Sequence, residues 1–352
     1  MRPVAGLIAV CLVLALAATR ATAFDNDYKE KINGTTLHFR VRGANKSNPY
    51  LLILHGGLGF SAQMFYPWGP EIEKTLNVVY LDQRGCGESM RYKFKNSTPK
   101  PEEIKDITVA NMVKDLEGVR EFLKLDRWYV LGHSWGGMLG IEYIAAFPDR
   151  VTGFIDMDGV ISYAKMQDDI LANCAAKFEQ EARSNNTATK EEGETLLAHT
   201  KKLQALRLDN PLRFFNANAL ALGPAGLYFA GDQTKVYTAF MTKLEAATAP
   251  YHIPPDDLKP PEEPTVALII NDSLPTRDVT PLLAKITVPT LIINGKQDGV
   301  VTPAMAQTAH DGIKGSALTL LDNCGHFPFV EQPEKTTAAI LAFIKQGVSS
   351  RQ

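Results

Sequence analysis

The stretch Trp128-Tyr-Val-Leu-Gly-His-Ser-Trp-Gly-Gly-Met-Leu-Gly140 decides how the chain is read. Its first residues, 128–131, form an apolar run that predicts a buried strand. The run stops at Gly132-His-Ser134-Trp-Gly136, a Gly-x-Ser-x-Gly pentapeptide. Met138, Leu139, Ile141, Tyr143 and Ile144 then begin a helical pattern that ends near Phe147-Pro148. Strand, tight turn and helix in that order place a serine where the chain reverses. Residues two before and two after it must be small, and Gly132 and Gly136 are. In this setting Ser134 is a candidate nucleophile rather than a loop serine.

Strand–helix alternation continues outward on both sides. Residues 35–42 alternate Leu37, Phe39 and Val41 with His38, Arg40 and Arg42, which predicts a half-buried strand paired across the Asn33-Gly34 turn. His38 is expected on the outer face. Tyr50-Leu-Leu-Ile-Leu54 is a continuous apolar run, as in a strand buried on both faces. It opens into His55-Gly-Gly-Leu-Gly59. A helix is expected over 61–74, then a strand at 77–81 that ends in Asp82-Gln-Arg-Gly-Cys-Gly-Glu-Ser89. Residues 90–106 read as a surface loop. Thr108 caps a helix with apolar positions Val109, Met112, Val113, Leu116, Val119 and Phe122. After the elbow, residues 151–157 form another strand. Strands return at 289–294 and 317–321, with a helix between them at 302–311 and a last helix over 333–346. This order predicts an α/β fold, a mostly parallel sheet with helices on both faces.

Residues 160–285 break the alternation. Alanine, lysine, glutamate and leucine dominate up to 222, and a Pro-rich stretch runs from 249 to 264. This predicts an inserted, mostly helical cap. The division is then a leader at 1–23, core at 24–159, cap at 160–285 and core again at 286–352.

The leader follows from Arg2, an apolar run over 4–18 and small residues Ala21 and Ala23 before a cut at Phe24. It predicts a secreted or secretory-lumen protein, periplasmic if bacterial, with no membrane insertion after cleavage. Its loss leaves Cys86, Cys174 and Cys324, an odd number with no metal spacing. They allow one disulfide or read as small buried apolar residues. Sequons at Asn33, Asn45, Asn96, Asn185 and Asn271 predict surface glycans if the host glycosylates. A formal net charge of −2 in 352 residues, with 45% hydrophobic and 22% charged residues, suits an ordinary globular core and gives no nucleic-acid-binding surface. No metal or organic cofactor is implied, since neither clustered His/Cys ligands nor a dinucleotide fingerprint occurs. Oligomeric state is not readable.

A serine needs a base and an acid. Of seven histidines, His326 lies in Asn323-Cys-Gly-His-Phe-Pro-Phe329, a turn directly after the final strand, within reach of Ser134. His55 and His133 are expected to make structural hydrogen bonds. His199 and His252 lie in the cap, and His310 inside a helix. The acid should come between serine and base in the chain. Asp298, in Asn294-Gly-Lys-Gln-Asp-Gly-Val300, ends the strand before last. Asp158, after strand 151–157, is the competing acid. The oxyanion needs two amides: Trp135, after the nucleophile, and Gly57, in the loop beside it.

In this order, His-Gly-Gly-x-Gly, Asp-Gln-Arg-Gly-Cys-Gly, Gly-His-Ser-Trp-Gly, Gly-x-x-Asp and Gly-His-Phe resemble the α/β-hydrolase fold family, and within it the proline iminopeptidase-like group. The resemblance covers about residues 30–160 and 285–345. It implies a mostly parallel eight-stranded sheet, a lid over Ser134 and removal of N-terminal residues, often proline, from peptides. Leu58 stands where the family loop usually has proline. An aminopeptidase also needs cap carboxylates for the substrate's ammonium. The cap offers acids such as Glu179, Glu181 and Asp232, none matched to the family's anchors. A small-molecule or short-peptide substrate is therefore expected, with an aminopeptidase leading and a small-molecule esterase or lactonase as the alternative. Two carboxylates within reach of Ser134 would mark the former. A non-catalytic ligand binder usually lacks a triad member. Epoxide hydrolases and dehalogenases use aspartate where Ser134 stands.

Overall fold

The computed structural model describes residues 23–57, 59–89, 101–251 and 263–349. The expected leader apart from Ala23, Leu58, the Asn96 sequon, His252 and most of the Pro-rich stretch lie outside the described residues.

Strands β1 (Phe24–Ile32), β2 (Thr35–Gly43), β3 (Tyr50–Leu54), β4 (Asn77–Leu81), β5 (Trp128–His133), β6 (Val151–Met157), β7 (Thr290–Gly295) and β8 (Ala317–Leu321) form one sheet. Their order is β1-β2-β4-β3-β5-β6-β7-β8. Only β2 runs antiparallel to its neighbours, β1 and β4; from β4 to β8 every pairing is parallel. The continuous apolar runs at β3, β4 and β5 are explained by this arrangement. Those strands sit at the middle of the sheet and bury both faces, so alternation has no solvent side to follow. β5 carries the serine at its C-terminal edge, at the centre of the sheet, where parallel strands all point their loops to one side.

The cap falls between β6 and β7. Helices Tyr163–Glu181, Thr187–Gln204, Pro211–Leu222, Gln233–Thr248 and Glu263–Asp272 fill that interval. Ser162, Asn186, Asn210 and Asp232 each cap a helix by accepting a backbone N–H. Among the described residues no helix is long and apolar enough to cross a membrane.

Two expectations need correction. The single helix over 61–74 is replaced by a 3₁₀ turn, Ala62–Phe65, and a short helix, Gly69–Ile72. Pro67 and the Gly69-Pro70 pair interrupt it. His38 does not face outward: it is 4% exposed, because β2 lies between β1 and β4 and both its faces are covered. Its two ring nitrogens meet two carboxylates, Asp82 at 2.9 Å and Asp27 at 2.8 Å. Burial disfavours its charge, but the bond and charge of Asp82 with Glu88 and Asp27 outweigh that and raise its pKa to about 9.

No disulfide joins Cys86, Cys174 and Cys324, and all three are buried. Two sequon side chains are engaged within the fold. Asn33 Nδ2 donates to Asp115 Oδ1 and to Asn111 O. Asn271 Nδ2 donates to the carbonyls of Ile104 and Ile107.

Candidate active site

Ser134 sits between β5 and the helix Trp135–Ala146 with φ 55° and ψ −119°. A non-glycine residue in that region is strained by about 1–3 kcal/mol and persists only when its surroundings hold it. Here the surroundings do. A Cβ on Gly132 would come within 2.3 Å of Gly136 O, and one on Gly136 within 2.1 Å of Leu54 O. Strand, turn and helix are pressed together so tightly that only glycine fits on either side of the serine. Ser134 N donates to Met157 O, and Ser134 O accepts from Gly137 N and Val160 N. The side chain is partly exposed while the residues around it are buried.

His326 and Asp298 meet. His326 Nδ1 lies 2.7 Å from Asp298 Oδ2, and the two residues are 2% and 3% exposed. The carboxylate only accepts, so Nδ1 carries the hydrogen and Nε2 is left as the basic nitrogen. Asp298 Oδ1 accepts from Val300 N and Val301 N at 2.8 and 3.0 Å, which fixes the acid in its turn. The loops carrying acid and base are also laced together: Gln297 N donates to Cys324 O, and Cys324 N to Gln297 Oε1.

His133 lies between Ser134 and His326. Its Nε2–H donates to His326 O at 2.8 Å, and the two rings lie 5.0 Å apart. Burial, then the nearby His326, hold its pKa well below the usual histidine range, so it stays neutral. His55 is also neutral by burial. Its Nε2 accepts from Gln83 N, so its Nδ1–H donates to Gly56 O. Both histidines thus take the structural role expected of them.

The competing acid, Asp158, is close but paired differently. Its Oδ1 accepts from Gly295 N at 2.9 Å, and Oδ2 has no hydrogen-bond partner among the described residues. Burial and the neighbouring Asp298 charge hold its carboxyl well above the ordinary range. His133, Asp158 and His326 bring metal-ligand-type atoms within 4.8 Å of one another. His133 Nε2 and His326 Nδ1 are engaged by His326 O and Asp298, while His133 Nδ1 and Asp158 Oδ2 have no hydrogen-bond partner among the described residues.

The expected oxyanion loop lies against the serine. A Cβ on Gly56 would approach Ser134 Cβ to 2.8 Å and His133 Nδ1 to 2.6 Å, and Gly57 has φ +52°. Trp135 is the first residue of its helix, so its N–H has no intrahelical acceptor. Gln83 ties these pieces together: its Nε2 donates to His55 O at 2.9 Å, and its Oε1 accepts from Trp135 Nε1 at 2.8 Å. In the sequence Gln83 was only part of a resemblance motif; nothing there showed that its amide spans the two sides of the site.

The cap closes on His326. Tyr228 O accepts from His326 N at 2.7 Å, and the Tyr228 ring meets His326 edge-on at 5.3 Å. Among the described cap residues, acids are paired, engaged or exposed. Asp168 meets Arg213, Asp169 meets Lys165, Glu181 meets Lys177 and Glu194 meets Lys190. Asp232 accepts from Lys235 N at its helix start. A cavity of about 1190 Å³ opens between the cap helix Gln233–Thr248 and the core, lined by residues that include Trp68, Phe240, Phe329 and Glu331 but not Ser134.

The sheet order, the cap and the elbow define an α/β hydrolase, and the comparisons agree. The family model described as alpha/beta hydrolase fold matches residues 49–333, and the chain belongs to that family. Within it the chain is similar to proline iminopeptidases. It is 28% identical over 324 residues to a proline iminopeptidase of Lactobacillus helveticus, covering 89% of this chain and 95% of the relative. A proline iminopeptidase-related protein from Thermus thermophilus shares the fold with a TM-score of 0.65 at 21% identity, over 92% of this chain and 98% of the other. An enol-lactonase from Burkholderia xenovorans shares it with a TM-score of 0.60 at 20% identity, over 90% and 100%. The protein is therefore an enzyme, a serine hydrolase of the aminopeptidase or esterase kind.

Proposed function

We propose that the enzyme cleaves an acyl or aminoacyl carbonyl bond through Ser134, His326 and Asp298. Ser134 Oγ attacks the carbonyl carbon as His326 Nε2 takes its proton, and Asp298 holds the imidazole and offsets its charge. The amides of Gly57 and Trp135 receive the oxyanion. His326 returns the proton to the leaving group, and water clears the acyl-enzyme by the same route in reverse. The observation that carries this reading is the 2.7 Å bond from His326 Nδ1 to Asp298, two residues that follow successive strands beside the serine elbow.

The substrate we infer is a short peptide with a free N-terminus, from which the first residue, often proline, is removed. The likeness to proline iminopeptidases over most of the chain supports this. We also infer export through the secretory route, on the leader pattern at residues 1–23.

One observation favours a second reading, a small-molecule esterase or lactonase. Asp168, Asp169 and Glu181 of the cap already meet Arg213, Lys165 and Lys177, and Asp232 caps its own helix, so each of these is engaged within the cap itself. Purified enzyme assayed side by side on proline-β-naphthylamide and on short acyl esters separates the two. Turnover of the naphthylamide with kcat/KM at least about tenfold above its N-acetylated form supports the aminopeptidase. Ester turnover with no naphthylamide hydrolysis supports the esterase.

A further inference from the structure

The catalytic role of His326 uses its side chain only, yet the backbone around it is gripped by one carboxylate that the mechanism leaves idle. Glu331 Oε1 accepts from Gly325 N at 2.9 Å and from Phe327 N at 3.4 Å, the residues on either side of His326. Its other oxygen, Oε2, accepts from Ala230 N at 2.8 Å, and Ala230 belongs to the cap. The same cap segment reaches the triad at two more points. Leu227 O accepts from Gly299 N, next to Asp298, and Tyr228 O accepts from His326 N. The packing leaves no slack: a Cβ on Gly325 would come within 2.5 Å of Tyr228 O, and one on Gly299 within 3.0 Å of the Leu227 side chain.

From this geometry we propose that Glu331 is a positioning residue that couples the seating of the cap segment 227–230 to the placement of His326. It rests on the reading of His326 as the base. One carboxylate gives the cap and the base turn a common anchor, and each of its oxygens serves a different side. Charge-assisted bonds to backbone N–H groups are about twice as strong as neutral ones. If the cap lifts, Ala230 N and His326 N lose their acceptors together, so the base is fully placed only under a seated cap. Glu331 also borders the cavity beneath helix Gln233–Thr248. Burial raises its pKa while the three amides lower it.

The two oxygens allow a divided test. In Glu331→Gln the amide oxygen still serves Gly325 and Phe327, but an NH₂ faces Ala230 N–H, donor against donor. Glu331→Ala removes both sides. The measurement is the rate at which an alkyl fluorophosphonate labels the full-length enzyme. In that step Ser134 Oγ bonds phosphorus, fluoride leaves and His326 takes the proton. Limited proteolysis of the cap is followed in parallel, with melting curves to verify folding. Expected is a loss of about a hundredfold in labelling for E331A, the size of a misplaced base. E331Q should be cut in the cap as readily as E331A and should lose labelling rate with it, though less than E331A, because the bonds to Gly325 and Phe327 remain. Folded E331A labelled at the wild-type rate, or E331Q cut as readily as E331A yet labelled at the wild-type rate, overturns the coupling. If E331A does not fold, E331Q alone decides, by whether its labelling falls with its cap protection. Ser134→Ala is run alongside: if it is still labelled, the reading of the site fails, whatever Glu331 does.

Discussion

At the scale of single residues, the division between Asp298 and Asp158 is the sharpest result. Both follow strands, and both carboxyls lie near His326. The reading of Asp298 as the acid is supported because it is the one bonded to His326 Nδ1 and because its other oxygen accepts from two backbone amides. Asp158 accepts from one amide, and burial and the Asp298 charge raise its pKa. Asp298→Asn should lower kcat by about 10³–10⁴-fold, since an amide there no longer fixes the imidazole tautomer. Asp158→Asn should cost less than about tenfold, because the bond Asp158 accepts from Gly295 N can pass to the amide oxygen. Steady-state kinetics on any turned-over ester or amide checks both. The reverse ranking would move the acid to Asp158. The proposed triad residues were legible in the sequence because each follows a recognisable strand. Gln83 and Glu331 were not, since their partners are backbone groups that only folding brings near.

At the scale of elements, continuous apolar runs announced the central strands, and glycines announced the elbow. The alternation in β2 misled for a physical reason. Period two shows that two faces differ, not that one is wet, and the second face of β2 is covered and holds a buried ion cluster. That cluster joins β1, β2 and the loop after β4. Asp82 accepts from Ala62 N and Glu88 N as well as His38, and Ser89 Oγ accepts from His38 N. Its pH dependence follows from the raised pKa of His38. Below about pH 6.5 the ring is protonated folded or unfolded, and the stabilisation is complete. As pH rises through about 9 the folded ring also loses its proton, and that contribution disappears. Its size is on the order of 2–3 kcal/mol, discounted because the Asp27 side chain is 56% exposed. Urea unfolding of wild type and His38→Gln at pH 6 and pH 9.5 checks this. The wild type's advantage should shrink with rising pH, and an advantage that grows would contradict it.

At the scale of the whole molecule, the sheet brings β3, β5, β6, β7 and β8 to one edge, and the functional loops all leave from there. The sequence made this organisation readable, because strand–helix alternation is a property of the core. It could not do the same for the cap. Helical periodicity gives a helix its buried side but not the direction from which it returns. The segment 227–230, which rests on both triad loops, carries no motif of its own. The most direct test of the central claim is intact-protein and peptide mass spectrometry after treatment with one equivalent of fluorophosphonate. The account predicts a single adduct on the peptide containing Ser134, loss of all hydrolytic activity in proportion to labelling, and neither adduct nor activity in folded Ser134→Ala. An adduct on another residue, or a Ser134→Ala enzyme with undiminished turnover, would contradict it.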